Sequence, residues 1–184
     1  PRILPEFFNI EEMRLIHYLE NWIQYELKRG DFEVKETEKN IPVHLGYLKF
    51  NIKIDRIDEV NQNTIVIDYK SGATKTLNEW FLNAYGELQM PFYALYASDK
   101  PIDAITIGII NTPKPQWIGI GRDIGLLKGI KDASCSSQYQ SWDELLGFWK
   151  YRISDAVKSY EMGDATVRFA REKDMAYCHV KSIL

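Results

Sequence analysis

The stretch Ile52–Gly72, IKIDRIDEVNQNTIVIDYKSG, constrains this chain more than any other. Its second half carries TIVIDY, an apolar run rich in β-branched residues, as a strand buried within a sheet requires. Its first half mixes Ile52, Ile54 and Ile57 with charge, and the polar Asn61-Gln62-Asn63 between the halves reads as a hairpin turn. Two adjacent strands therefore deliver Asp55, Asp68 and Lys70 towards one place. Asp68 and Lys70 are two residues apart, so they face the same side of their strand. Neither charge is cheaply buried alone, so each needs a partner or an ion. Two carboxylates from neighbouring strands make a seat for a hard divalent cation, because Mg2+ takes oxygen ligands and keeps waters for substrate phosphates. A lysine beside such an ion can orient or deprotonate an attacking water and offset developing charge. The set suits phosphodiester hydrolysis.

Bulk properties narrow the classes. The 184 residues fit one domain able to bury a core, and 45% hydrophobic with 27% charged residues places the chain among ordinary globular proteins. No apolar run approaches the ~20 residues of a membrane span, and the N-terminus lacks the basic-then-apolar form of a signal peptide. A cytoplasmic location is the expectation. Cys135 and Cys178 are too few for a disulfide framework. The net charge of −3 argues mildly against a free-standing nonspecific nucleic-acid binder, yet a metal-centred site is itself acidic before its ion arrives. The chain opens at Pro1 without methionine and stops at Leu184 without a polar tail, which suggests a fragment of a longer protein.

Three motifs in order resemble the PD-(D/E)XK nuclease superfamily, and within it the RecB-like exonuclease domains. Those domains carry a G-x-I-D-R-I-D strand, an apolar strand ending D-Y-K-T/S-G, and a helix with Q-x-x-x-Y. Here the three stand at Asn51 to Asp58, Ile67 to Gly72 and Gln89 to Tyr93. The resemblance extends from about Glu36 to the end. It implies that Asp55 and Asp68 bind Mg2+ or Mn2+ with the Tyr69 main-chain carbonyl as a further ligand, that Lys70 is the catalytic lysine, and that Gln89 and Tyr93 place the DNA strand. It implies a DNA nuclease, exonuclease sooner than endonuclease, serving recombination or repair and linked to a helicase. The alternative is a degenerate nuclease domain kept as a DNA-binding or scaffolding module, and at the motif itself a surface ion-pair ladder of Asp55, Arg56 and Asp58.

Along the rest of the chain, apolar residues at Met13, Ile16, Leu19, Ile23 and Leu27 predict a helix over 9–29, capped by Asn9 and closed by Gly30. His17 on it reads as a partly buried side chain, not a metal ligand. Phe32–Lys39 alternates as a first strand, with Glu36 in a supporting role, and Ile41–Phe50 begins the next with Gly46 as a turn or bulge. A long helix is expected from Leu77 to about Ser98, with Gln89 and Tyr93 on one face and Pro91 kinking it or marking its restart. Ala104–Asn111 reads as a central strand and Lys114–Gly121 as a turn and edge strand. A Ser141-x-x-Glu144 capping box opens a helix to Met162, with Lys150, Arg152 and Lys158 on a solvated face. In the tail, Met175 and Leu184 stand where the family's iron–sulfur cysteines flank Cys178, so no cluster is expected. The expected fold is α/β: a mixed central sheet of about five strands flanked by helices, a restriction-endonuclease-like core formed by one domain over residues 1–184.

Overall fold

The computed structural model describes residues 5–71, 76–81, 87–110, 114–136 and 138–166. It is a mixed α/β fold with one six-stranded sheet in the order β1-β2-β3-β4-β5-β6. The strands are β1 Glu33–Leu45, β2 Leu48–Val60, β3 Asn63–Lys70, β4 Ala104–Ile109, β5 Gln116–Gly121 and β6 Ile130–Asp132. The helices are α1 Pro5–Glu26, α2 Gln89–Tyr96 and α3 Trp142–Glu161, with short 3-10 turns at Leu77–Phe81 and Ala133–Ser136. Pairing is antiparallel except between β3 and β4 and between β5 and β6.

The central hairpin forms as its composition dictates. Asn61 and Gln62 both take positive φ, 49° and 68°, so they make the two-residue turn whose twist matches paired strands. β3 and β4 lie side by side in the middle of the sheet, and every residue of β4 is buried. Alternation splits the core in two. Val66, Ile105, Ile107 and Ile120 face α2 and α3, where Trp80, Trp142 and Trp149 fill the layer. Ile65, Ile67 and Trp117 face α1, which presses Trp22 against them. Gly108 on β4 permits that approach, since a Cβ there would lie 2.7 Å from the Trp22 ring.

Several sequence expectations are corrected. β1 runs unbroken from Glu33 through Asn40 to Leu45, so the second strand starts only at Leu48, after the Gly46-Tyr47 turn. The short β6 pairs with β5 and so removes β5 from the edge of the described sheet. α1 starts upstream of Asn9 and ends at Glu26, where Lys28 and Arg29 continue in tighter i→i+3 turns. Its apolar stripe, Met13, Ile16, Leu19, Ile23 and Leu27, is exposed. The helix docks instead through Trp22, Tyr25 and Glu26, spaced i, i+3 and i+4, with Arg29 in the turn just beyond it. His17 is exposed, its Nε2 3.0 Å from Asn21 Nδ2. Residues 87 and 88 are not helical, so 77–98 is not one helix. Pro91 stands in the first turn of α2, where its missing N–H costs nothing, and marks the restart. Arg152 is 2% exposed, with its guanidinium carbon 5.4 Å from the Phe148 ring centre, because it falls on the packed side of α3. The Gly72, Met175, Cys178 and Leu184 positions lie outside the described residues.

On the α1 face Arg56 and Asp58 belong to a buried charge network, not to the surface ladder that is the alternative reading of the motif. Asp58 is fully buried and accepts from Arg56 Nε at 2.6 Å, Arg56 Nη2 at 2.8 Å and Arg29 Nη1 at 2.9 Å. Glu26 Oε1 takes Arg29 at 2.6 Å and Arg56 at 3.1 Å. Two guanidinium groups thus share two carboxylates beneath α1. Asp58→Ala leaves two largely buried guanidinium groups to the single carboxylate of Glu26 and is expected to lower stability by about 3–5 kcal/mol in urea denaturation; a loss within ~0.5 kcal/mol would place the pair among surface ladders.

Candidate active site

β2 is paired with β3 only from Val60 down to Arg56, opposite Ile67. Beyond Arg56 it leaves β3 and continues with β1 alone to the turn at Gly46. The side-chain alternation of β2 breaks at the same point. Ile52, Ile54 and Ile57 all pack with the α2–α3 core, whereas Arg56 and Asp58 face α1. Asp55 sits at this break, and the β1–β2 pairing skips it. Its Oδ2 accepts from Tyr69 N at 2.9 Å, taking the place of the ladder bond that β2 no longer supplies. The Tyr69 carbonyl points to the same side of β3 as its N–H, into the gap where the strands part. Lys70 O, on the opposite side, accepts from Ile110 N.

The gap widens into a cleft of about 490 Å³. One wall is the β2 arm with Phe50, Asn51 and Lys53, the other is α2 with Gln89, Phe92 and Tyr93, and Asp55, Asp68 and Lys70 lie between them. Asp68 is 2% exposed. Its Oδ1 accepts from Gln89 Nε2 at 2.9 Å, and Lys70 Nζ stands 2.8 Å from its Oδ2. Lys70 Nζ also donates to Gln89 Oε1 at 2.9 Å. Gln89 Nε2 reaches Tyr93 OH at 2.8 Å, and Tyr93 OH donates to Lys53 O at 2.7 Å. Gln89 therefore ties the carboxylate, the ammonium and the phenol together, and Tyr93 fastens α2 to the arm across the cleft.

Burial raises the Asp68 carboxyl above its usual pKa, opposed by the neighbouring Lys70 and reinforced by the charges of Asp55 and Glu87. Burial likewise raises Tyr93, which keeps its hydroxyl a donor. The donor set fits a hard divalent cation. Asp68 Oδ2 is buried and completes no hydrogen bond, because the Lys70 ammonium lies at ion-pair distance but out of hydrogen-bonding alignment. Among the described residues no three His, Cys, Asp or Glu side chains cluster as metal ligands. A cation here would rest on two carboxylates and a main-chain carbonyl, with waters completing its shell, an arrangement suited to Mg2+.

The sequence-predicted residues Asp55, Asp68, Tyr69, Lys70, Gln89 and Tyr93 all line this cleft. Glu36 does not; its Oε1 accepts from Lys39 Nζ at 2.8 Å. Sequence reasoning missed Phe50 and Phe92, whose rings meet edge to face at 5.6 Å on opposite walls. No motif marks them, since their meeting depends on the arm folding back towards α2. Among the described residues no helix is long and apolar enough to cross a membrane.

A family model described as the PD-(D/E)XK nuclease superfamily matches residues 5–183. No curated protein matches the chain. Among solved structures, one described as "Crystal structure of SSO0001" aligns with a TM-score of 0.42 and 18% identity, covering 92% of this chain and 67% of that one.

The raised Asp68 pKa has a direction in stability. A carboxyl that ionises less readily when folded favours the folded state below the ordinary carboxylate range and loses that advantage as pH rises through its raised value. In metal-free buffer, Asp68→Asn is expected to melt above the parent near neutral pH, and the difference should shrink on acidification. Added Mg2+ or Mn2+ should raise the melting temperature of the parent and leave that of the variant unmoved. A variant that melts below the parent at every pH would contradict this account.

Proposed function

The chain belongs to the PD-(D/E)XK nuclease superfamily, and from that premise we propose that it is a divalent-metal-dependent DNA nuclease working at the cleft between the β2 arm and α2. The observation that carries the reading is Lys70 Nζ, held between Asp68 and Gln89 at 2.8 and 2.9 Å beside a second carboxylate. Asp55, Asp68 and the Tyr69 carbonyl would hold Mg2+ or Mn2+. When bound, that ion supplies Lewis-acid polarisation of the scissile phosphate and eases ionisation of a water. Lys70 positions the attacking water by hydrogen bonding and offsets charge on the phosphate as it is attacked. Gln89 fixes the orientation of both Asp68 and Lys70, so neither group reorganises during the reaction. Tyr93 and the arm shape the channel along which a strand lies.

A scaffold module has no use for two carboxylates and a lysine gathered at one strand end, and the assembled set favours the catalytic reading over the scaffold. Exonuclease action, a RecB-like subtype and a place beside a helicase in recombination or repair rest on the motif resemblance.

Labelled linear DNA incubated with Mg2+ or Mn2+ should be cut, while closed circles of the same sequence survive. Lys70→Ala should slow cutting by on the order of 10²–10⁴-fold, and Asp55→Ala and Asp68→Ala should abolish it. Tyr93→Phe, which removes one hydrogen bond to the arm, should cost about tenfold. Cutting that survives Lys70→Ala, or none with either metal, would overturn the proposal.

A further inference from the structure

Two aromatic rings in the cleft take no part in the chemistry proposed for it. Phe50 stands on the β2 arm and Phe92 on α2, and their rings meet across the cleft with centres 5.6 Å apart and planes at 82°. Neither is among the side chains of the two hydrophobic layers that cover the sheet. Phe50 is 37% exposed, and Phe92 is half-buried. A lone exposed phenylalanine is ordinary on a protein surface. A pair that shares a cleft with two carboxylates and a lysine calls for a ligand with both charge and a flat apolar surface, and a nucleotide has both.

The geometry leaves ring surface for such a ligand. In an edge-to-face pair the edge of one ring covers a single face of the other, so the remaining faces stay available. Phe92 also meets Tyr96, one turn further along α2, with ring centres 5.8 Å apart. That contact anchors Phe92 and leaves Phe50 as the accessible ring. Phe92 comes three residues after Gln89 and so lies on its side of α2, the side from which Gln89 reaches Asp68 and Lys70. Phe50 comes five residues before Asp55, roughly 16 Å along the arm. The pair therefore stands beside the path of a strand whose phosphate rests at the carboxylates, a short way from the bond to be cut. Lys53 lies between Phe50 and Asp55 in sequence and lines the same cleft. It pairs with Glu38, and both side chains are well exposed, so a strand phosphate can replace that carboxylate at little cost.

We propose that Phe50, seated against Phe92, is a stacking platform for one nucleobase of the strand, a role that rests on the nuclease reading of the cleft. Every base has a π-face, so the platform accepts any of the four. A base inside a duplex has both faces covered by its neighbours, so the contact selects a base that is already unpaired.

Binding without cutting isolates this contact. In metal-free buffer, fluorescence anisotropy compares a short labelled oligothymidylate with an abasic deoxyribose-phosphate chain of the same length. Repulsion from the carboxylates bears on both chains alike, so the ratio of their affinities reports on the bases. The parent should bind the oligothymidylate about tenfold more tightly. Phe50→Tyr, which keeps the ring, should preserve that ratio. Phe50→Leu, which keeps an apolar side chain against Phe92 but has no ring, should bring the two affinities together by weakening only the oligothymidylate, at an unchanged melting temperature. Equal binding of the two chains by the parent, binding of neither, or a ratio that survives Phe50→Leu overturns the proposal. A parent that prefers bases yet cuts no DNA with Mg2+ or Mn2+ contradicts the nuclease reading and not the platform; one that cuts DNA while binding both chains equally does the reverse.

Discussion

The hydrogen bond from Tyr69 N to Asp55 Oδ2, 2.9 Å long, stands where the β2–β3 ladder ends. A buried strand cannot leave its N–H groups unpaired, so β2 can part from β3 only if something else takes the Tyr69 donor. The Asp55 carboxylate does so, and three consequences follow together. The β2 arm is released to form a wall, the Tyr69 carbonyl is turned into the gap, and Asp55 is brought beside Asp68. The cleft exists because one side chain substitutes for one backbone acceptor.

Tyr69 also links the two layers of the fold. Its hydroxyl accepts from Arg56 Nη1 at 3.1 Å, and its ring stands edge-on to Trp22 with centres 5.6 Å apart. The Asp58 network therefore braces, from the α1 face, the strand that presents Asp68 and Lys70 on the other. On the α1 side two guanidinium groups, Arg29 and Arg56, face two carboxylates, Glu26 and Asp58. The cleft side keeps a carboxylate whose burial disfavours its ionised form and whose Oδ2 completes no hydrogen bond.

Much of this site was legible in the sequence because it rests on short-range rules. A period of two places Asp68 and Lys70 on one face of β3, a polar pair between apolar runs makes the turn, and a spacing of four aligns Gln89 with Tyr93. Where long-range contacts decide, sequence reading went astray. The apolar stripe of α1 has a sound helical period, yet it is the Trp22–Arg29 face that docks, because Asp58, distant in sequence, waits beneath it. Arg152 looked solvated until α3 turned it inward. β6 is only three residues long and has no periodicity to read. The break in alternation at Asp55 is invisible in IKIDRID, since either parity leaves an isoleucine on each face.

Anomalous diffraction from a crystal of this chain soaked in Mn2+ tests the central claim most directly. One peak should appear at about 2.1 Å from carboxylate oxygens of both Asp55 and Asp68 and from the Tyr69 carbonyl, with Lys70 still hydrogen-bonded to Gln89. A peak away from these three groups, or none at saturating Mn2+, would mean that the parting of β2 from β3 builds a cleft but not a metal seat.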